Sequence, residues 1–223
     1  MGLCTLLLDN YSFLDVLLIS GQSFMLQPRT TPAQCESPTR NRIPNLRIIV
    51  KAMFTDAFTS LPFGRDDELR ILDVGCGLGF LSCVSAEFYK NARITGIDTF
   101  EHVSLKRSSL EGVKKNVRIL GFSDRVDFKK VDMFRFTPAE KFDIIISNLV
   151  FHNFGKMRFK AYSLLSSWTQ ASSFVVIGDL FFSPKTDMVQ LEKAFRILTQ
   201  IKPKNGLGDY ALLVMSRDSH GLS

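Results

Sequence analysis

An acidic residue followed by a spaced series of glycines is the stretch of this sequence most suited to chemistry. Asp73 precedes Gly75, Gly77 and Gly79 in the segment LRILDVGCGLGFL, residues 69–81. Glycine permits the positive φ angles of a sharp turn and lets a ligand approach the backbone, because it has no Cβ atom. If a helix follows, its N-terminal amide groups point at that ligand. The segment therefore predicts a site for a nucleotide-type ligand.

The residues on either side of the glycines predict how the turn is placed. Ile71, Leu72 and Val74 form an apolar, partly β-branched run, which is typical of a buried strand in a parallel sheet. After Phe80 the apolar residues recur at helical spacing. The predicted order is strand, tight turn and helix. A plain turn is the alternative interpretation, since any tight turn of this kind favours glycine.

The spacing of the glycines differs from the dinucleotide-binding fingerprint G-x-G-x-x-G. Phe80 occupies the place of the third glycine. Asp73 would also repel a pyrophosphate, whereas it would attract a ligand that has an ammonium and a sulfonium group. The pattern D-x-G-x-G-x-G after a strand resembles motif I of the class I S-adenosylmethionine-dependent methyltransferases.

A second acid, Asp98, ends the apolar segment 93–98 and lies nineteen residues after Gly79. At this separation a carboxylate on the next strand reaches a ribose, and it can accept hydrogen bonds from both hydroxyls. A surface acid at a strand end is the alternative. The resemblance implies that S-adenosylmethionine is the cofactor and that residues around the two acids bind it: Asp73, Gly75, Cys76, Gly77, Asp98 and Thr99.

Two later segments extend the resemblance. Residues 121–132, GFSDRVDFKKVD, are similar to the family's usual sequence, which implies that Asp132 and Met133 bind the adenine. Residues 147–153, SNLVFHN, resemble the S-N-x-x-x-H form of motif IV, beside the transferred methyl group. Because N-P-P-Y is absent, the resemblance does not imply methylation of DNA adenine or of a glutamine side chain.

His152 and Asn148 are the candidate catalytic residues. A neutral imidazole can accept a proton near pH 7, so His152 is a candidate general base or substrate hydrogen-bonding group. The alternative is a loop histidine that only shapes the pocket. Asn148 and Asn153 are candidates for orienting the substrate, and Asn148 is also assigned to the cofactor site.

The remaining pattern predicts an α/β fold, namely a seven-stranded, doubly wound, mostly parallel Rossmann-like sheet with an antiparallel C-terminal hairpin. Residues 1–43 are interpreted as an extension and linker, and residues 44–223 as the methyltransferase domain. The pattern predicts a helix that begins at Pro44; the resemblance implies that this helix helps to wall the substrate, and the alternative is that it only packs on the sheet. Other predicted elements are helices at 104–120, 156–170 and 184–194, strands at 126–131, 141–148 and 173–182, and a hairpin of 195–202 and 210–216 around Asn205-Gly206.

Composition narrows the class of protein. The 223 residues include four cysteines without C-x-x-C or metal-ligand spacing, which predicts free thiols, no metal site and a reducing cytoplasm. Asp9 and Asp15 interrupt the apolar start, and no Lys or Arg precedes Arg29. Neither a signal peptide nor a transmembrane segment is therefore predicted. The start is interpreted as a short accessory helix or an over-extended beginning, with Met25 as an alternative start.

The distribution of charge along the sequence is compatible with two classes of methyl acceptor. The net charge is +6, and residues 101–160 contain thirteen Lys and Arg against seven Asp and Glu. This excess indicates either a solvated helix face or RNA binding. The favoured function is methyl transfer to a small molecule by in-line displacement, and the alternative is an RNA methyltransferase acting on tRNA or rRNA. A non-catalytic binding module of the same fold is the third hypothesis. The sequence does not indicate an oligomeric state.

Overall fold

The computed structural model describes residues 46–101, 109–203 and 208–217. Their strands form one seven-stranded sheet in the order β3-β2-β1-β4-β5-β7-β6. The first five strands pair in parallel, and β7 lies antiparallel between β5 and β6. This arrangement confirms the predicted fold class. The strands are β1 (Arg70–Val74), β2 (Arg93–Asp98), β3 (Val126–Lys130), β4 (Phe142–Asn148), β5 (Thr169–Leu180), β6 (Phe195–Ile201) and β7 (Tyr210–Arg217).

Helices cover both faces of the sheet. They are α1 (Leu46–Ser60), α2 (Phe80–Phe88), α3 (Leu110–Ile119), α4 (Arg158–Ser167) and α5 (Pro184–Leu191), with a 3-10 helix (Phe151–Met157) directly before α4. One apolar cluster lies under α1, α2 and α3, and a second lies under α4 and α5. Each helix buries its apolar side against one face of the sheet, which is the usual layered solution for an α/β domain.

The central strand β4 contributes side chains to both apolar clusters. Ile144 and Ile146 belong to the cluster beneath α1, α2 and α3, whereas Ile145 belongs to the opposite one, and all three are fully buried. Successive side chains of a strand point to opposite faces, so this continuous β-branched run suits a strand buried on both sides. The strand order reverses between β1 and β4. In doubly wound sheets, ligands bind at such a reversal, outside the carboxyl ends of the strands.

Several predicted boundaries were wrong, among them the end of the 156–170 helix, which stops at Ser167, and the end of the 173–182 strand, which stops at Leu180. The helix predicted for 156–170 begins only at Arg158, since Gly155 breaks the preceding 3-10 helix with φ 53° and ψ −128°. Strand β5 begins at Thr169 rather than 173, because Thr169 already pairs with Phe142 and a register shift follows. The Ser173 hydroxyl donates to the carbonyl of Phe142 across this irregularity. Helix α5 ends at Leu191 rather than at residue 194.

Helix α1 packs on the sheet, as one of its two interpretations predicted. Its Phe58 is fully buried, and the Phe58 ring contacts the rings of Phe88 and Tyr89. The predicted extension and linker, the helix start at Pro44, the first part of the 104–120 helix and the Asn205-Gly206 turn lie outside the described residues. Within the described part of the chain, none of the helices combines the length and apolarity that a membrane span requires.

Candidate active site

The loop after β1 contains three glycines with positive φ angles. Gly75, Gly77 and Gly79 have φ angles of 71°, 50° and 82°, in the left-handed region that side chains with a Cβ rarely adopt. A Cβ on Gly75 would lie 2.3 Å from Cγ2 of Val150, so close packing also requires glycine there. The N–H group of Gly75 donates to the carbonyl of Ile97 at 2.8 Å. The loop is thereby fixed to the end of β2.

Asp98, at the end of β2, binds the same loop. Its Oδ2 accepts a hydrogen bond from the N–H of Gly77 at 2.9 Å, and its Oδ1 accepts one from the N–H of Phe100 at 2.6 Å. Phe100 has a φ of 56°, a strained value for a residue other than glycine. Each carboxylate oxygen has two lone pairs, so Asp98 retains acceptor capacity for a ligand. The predicted ribose-binding acid lies beside the loop, and the half-buried Thr99 follows it.

Asp73 lies beneath the loop. The residue is 2% exposed, and its Oδ2 accepts a hydrogen bond from the Ser82 hydroxyl at 2.6 Å. Burial raises the pKa of Asp73 to about 7, and the hydrogen bonds from Ser82 offset only part of that rise. A cation near the loop would favour the ionised form of this carboxyl group. Asp73 is thus placed to attract a positively charged ligand through its charge, while Ser82 occupies one of its oxygens.

Cys76 presents its backbone, not a reactive thiol. Its side chain is buried, and burial raises the pKa of the thiol far above its ordinary value. A thiol in this state is a poor nucleophile at neutral pH. Cys76 packs against Gly96, where a Cβ would lie 3.0 Å from the Cys76 Cβ and 2.5 Å from the Phe128 ring. The N–H of Cys76 already donates to the carbonyl of Ile97 at 3.1 Å. Its carbonyl accepts a hydrogen bond from the N–H of Gly79 at 2.8 Å and keeps a second lone pair, through which Cys76 can contribute to a ligand site.

The end of β3 is joined to the end of β2. The N–H of Val131 donates to the carbonyl of Asp98 at 2.9 Å. Asp132 follows, and its Oδ1 accepts a hydrogen bond from the N–H of Phe134 at 2.9 Å. Met133 buries its side chain in the apolar cluster beneath α4 and α5, and its carbonyl accepts a hydrogen bond from the N–H of Phe136 at 3.3 Å, which leaves its own N–H for contact with a ligand. The two predicted adenine-binding residues lie at the same edge of the sheet as Asp98.

Asn148 ends β4, the strand next to the glycine loop. Its Oδ1 accepts a hydrogen bond from the hydroxyl of Tyr210 at 2.8 Å. Gly178 lies against this contact, and a Cβ there would lie 2.2 Å from the Tyr210 hydroxyl. Leu149 has a φ of 58°, and its N–H donates to the carbonyl of Gly178 at 2.8 Å. Asn148 is thus held in one orientation at a strained turn, as expected of an orienting residue.

His152 is held by Asp179, the acid at the end of β5. Nδ1 of His152 lies 2.5 Å from Oδ1 of Asp179. Asp179 is 1% exposed and also accepts hydrogen bonds from the backbone N–H groups of Phe151, His152 and Leu180. Its oxygens therefore act as acceptors, so Nδ1 of His152 acts as the donor, and in the neutral imidazole Nε2 carries the lone pair. His152 has the tautomer that a general base requires.

Asp179 and Tyr210 were assigned no functional role from the sequence. Asp179 could have been found, because it follows an apolar strand as Asp98 does and β5 is adjacent to β4. No signal indicated Tyr210, which comes from the antiparallel strand β7 and reaches Asn148 only through the sheet order. In the described part of the chain, no group of three or more His, Cys, Asp and Glu side chains could hold a metal ion.

The comparisons with known proteins agree with this geometry. A family model described as "Methyltransferase domain" matches residues 65–180, just over half of the chain. Trans-aconitate 2-methyltransferase of Streptomyces avermitilis is 34% identical over 95 residues, which are 43% of this chain and 33% of that enzyme. tRNA1(Val) (adenine(37)-N6)-methyltransferase of Vibrio campbellii is 31% identical over 87 residues, which are 39% of this chain and 34% of that enzyme.

A solved structure supports the fold over a longer span. The N-methyltransferase NodS of Bradyrhizobium japonicum, in complex with S-adenosyl-L-homocysteine, superimposes with a TM-score of 0.60 at 15% identity. The superposition covers 80% of this chain and 90% of NodS. The matches to the two curated enzymes, in contrast, span about a third of each enzyme's length. The family match and the shared fold confirm what the motifs predicted: this chain belongs to the methyltransferase domain family.

Proposed function

We propose that this protein transfers a methyl group from S-adenosylmethionine to a small-molecule acceptor. The main support is the meeting of the glycine loop, Asp98, Asp132 and His152 at the carboxyl edge of one sheet, beside the reversal of strand order. The Streptomyces relative, whose name gives trans-aconitate as its acceptor, favours a small molecule over a macromolecule.

The residues at this edge fit the cofactor. Gly75 and Gly77 place no Cβ between the loop and the methionine end of the cofactor, and a ligand with cationic groups would favour the ionised form of the buried Asp73 carboxyl group. Asp98 and Thr99 would bind the ribose.

The neighbouring strand ends complete the assignment. Asp132 and the backbone of Met133 would bind the adenine, next to Asp98 because β3 and β2 are hydrogen-bonded there. Cys76 would contribute through the loop backbone, and Asn148 would contribute from the end of β4.

When bound at these residues, S-adenosylmethionine would supply an electrophilic methyl group to the acceptor, and the electron pair of the broken carbon–sulfur bond would stay on sulfur. The chain's own residues would align the acceptor and receive its proton. Asn148, fixed by Tyr210, would orient the acceptor, and Nε2 of His152 would accept the proton. Alignment and exclusion of water can supply most of the rate enhancement of such a displacement.

Two measurements test the proposal. Isothermal calorimetry should detect binding of S-adenosylmethionine and of S-adenosylhomocysteine to the purified chain. Incubation of the protein with metabolite extracts and methyl-deuterated cofactor should then label a small compound in the mass spectrum. Absence of binding of either nucleoside would reject the proposal, since every assigned cofactor residue would then be without a ligand.

RNA methylation is the second candidate function. The Vibrio relative is named for a tRNA adenine, and the outer side of α3 exposes the cations Lys114 and Arg118. A protein that neutralises phosphates binds more weakly as salt concentration rises. Retention of bulk tRNA on filters at low salt, reduced by Lys114→Glu with Arg118→Glu, would favour this function. Equal retention of the variant and the unchanged protein would argue against it.

A further inference from the structure

A cavity of about 170 Å³ lies beside His152, on the side of the sheet covered by α4 and α5. It is formed where the 3-10 helix, the start of α5 and the residues after β5 meet. The cavity belongs to the ends of β4 and β5, whereas the proposed cofactor residues lie at the ends of β1, β2, β3 and β4. The side chains that decide its chemistry are those of His152, Arg158, Tyr162, Phe181, Phe182 and Asp187.

The guanidinium group of Arg158, which lines this cavity, is already paired with the carboxylate of Asp187. Nε of Arg158 donates to Oδ1 of Asp187 at 2.6 Å, and its Nη1 donates to the carbonyl of Gly155 at 2.7 Å. Asp187 is 1% exposed and also accepts a hydrogen bond from the hydroxyl of Tyr162 at 3.2 Å. A carboxylate that entered the cavity would meet a paired guanidinium and the charge of Asp187. Burial of an unpaired charge is strongly unfavourable, so the cavity disfavours acids.

His152, in contrast, favours a ligand group that can donate a hydrogen bond. Its Nδ1 donates to Asp179, so the Nε2 lone pair remains for an acceptor that can donate a hydrogen bond. Among the described residues, no hydrogen-bond partner of Nε2 is found. A hydroxyl group suits this nitrogen, because it donates one hydrogen bond and keeps lone pairs on its oxygen.

Two phenylalanine side chains also line the cavity. Phe181 is buried, whereas Phe182 is 65% exposed, and its ring stands edge-on to the His152 ring with centroids 6.2 Å apart. Exposed aromatic surface beside a cavity gains stability when a ligand covers it. The volume and the aromatic wall suit a single six-membered ring.

We propose that this cavity is the acceptor subsite and that it binds an uncharged, ring-sized group whose hydroxyl faces Nε2 of His152. The inference rests on the proposed function, since it names the acceptor class of the same site. The proposed acceptor group is uncharged, whereas trans-aconitate, the compound in the name of the Streptomyces relative, is a polycarboxylate.

The test uses phenol and benzoate as probes of similar size. Saturation-transfer NMR with the full chain and S-adenosylhomocysteine should detect phenol and not benzoate. Ser183 lines the cavity, and its side chain makes no capping hydrogen bond to α5, so Ser183→Trp should fill the space with little effect on the fold. We expect Ser183→Trp to weaken phenol binding about tenfold, roughly 1.4 kcal/mol. Lys185→Trp, at an exposed position that does not line the cavity, is the matched control.

A variant that removes the charge of Asp187 provides a second test. Asp187→Asn leaves Arg158 without its carboxylate partner, so this variant should gain benzoate binding. Equal binding of benzoate and phenol by the unchanged protein would overturn the inference, and so would unchanged phenol binding in Ser183→Trp. Calorimetry of S-adenosylhomocysteine on the same samples distinguishes a failure of this inference from a failure of the proposed function. Normal binding of S-adenosylhomocysteine without binding of phenol would reject the acceptor class alone.

Discussion

Oδ1 of Asp179 lies 2.5 Å from Nδ1 of His152, and the same carboxylate accepts hydrogen bonds from the backbone N–H groups of Phe151 and His152. One buried acid at the end of β5 thus fixes both the tautomer of the imidazole and the start of the 3-10 helix that presents it. Such an arrangement orients a base through a second residue, and Asp179 acts as a positioning residue.

Replacement of His152 should separate catalysis from cofactor binding. Asparagine can keep a donor near the place of Nδ1 but has no group at the place of Nε2. We therefore expect His152→Asn to lower kcat about a hundredfold while the Kd for S-adenosylmethionine stays unchanged. Single-turnover kinetics and calorimetry measure the two quantities. A normal kcat in this variant would return His152 to the role of shaping the pocket.

Replacement of Asp98 should weaken cofactor binding more than a hundredfold. Asp98→Ala removes the predicted ribose acceptor and the hydrogen bond to Gly77, so we expect the affinity for S-adenosylmethionine to fall by about 3 kcal/mol or more. Asp127→Ala is the control, because Asp127 is an exposed acid on the neighbouring strand β3. Circular dichroism should show the same fold in both variants. Unchanged affinity in Asp98→Ala would refute the ribose assignment.

Asp73 should make stability depend on pH. Its pKa is about 7 in the folded protein against an ordinary 3.8, so the folded state binds this proton more tightly than the unfolded chain. The contribution of Asp73 to the free energy of unfolding therefore falls as pH rises from about 4 to 7 and levels off above. Relative to Asp73→Asn, the unchanged protein should lose about 3 kcal/mol between about pH 5 and about pH 8. Urea denaturation at both pH values measures this difference, and a constant difference would contradict it.

The contact between Tyr210 and Asn148 should matter for turnover. Tyr210→Phe removes the hydroxyl that fixes Asn148, at a cost of about 1 kcal/mol in stability. Tyr89→Phe removes another buried hydroxyl, which donates to the carbonyl of Phe58 at 3.3 Å away from the site. We expect a several-fold lower kcat in Tyr210→Phe only. Equal kcat values in the two variants would remove Asn148 from the orienting role.

Local sequence determined much of this protein. The apolar runs of β1 and β4, the glycines after β1 and the acid Asp98 each follow from short-range physical rules, because strand burial, positive φ and strand-end acids are properties of neighbouring residues. The family and the fold class followed from the order of these segments. The boundaries at Arg158 and Thr169 did not, since a glycine break and a register shift with Phe142 set them.

Only the tertiary structure decided how the candidate site is held. Asp179 meets His152 across 27 positions of the chain, and Tyr210 meets Asn148 across 62. Both contacts arise because β5 lies beside β4 and β7 lies beside β5 in the sheet, an order that no local pattern encodes. The pairing of Arg158 with Asp187 has the same origin, since packing of α4 against α5 brings the two charges together.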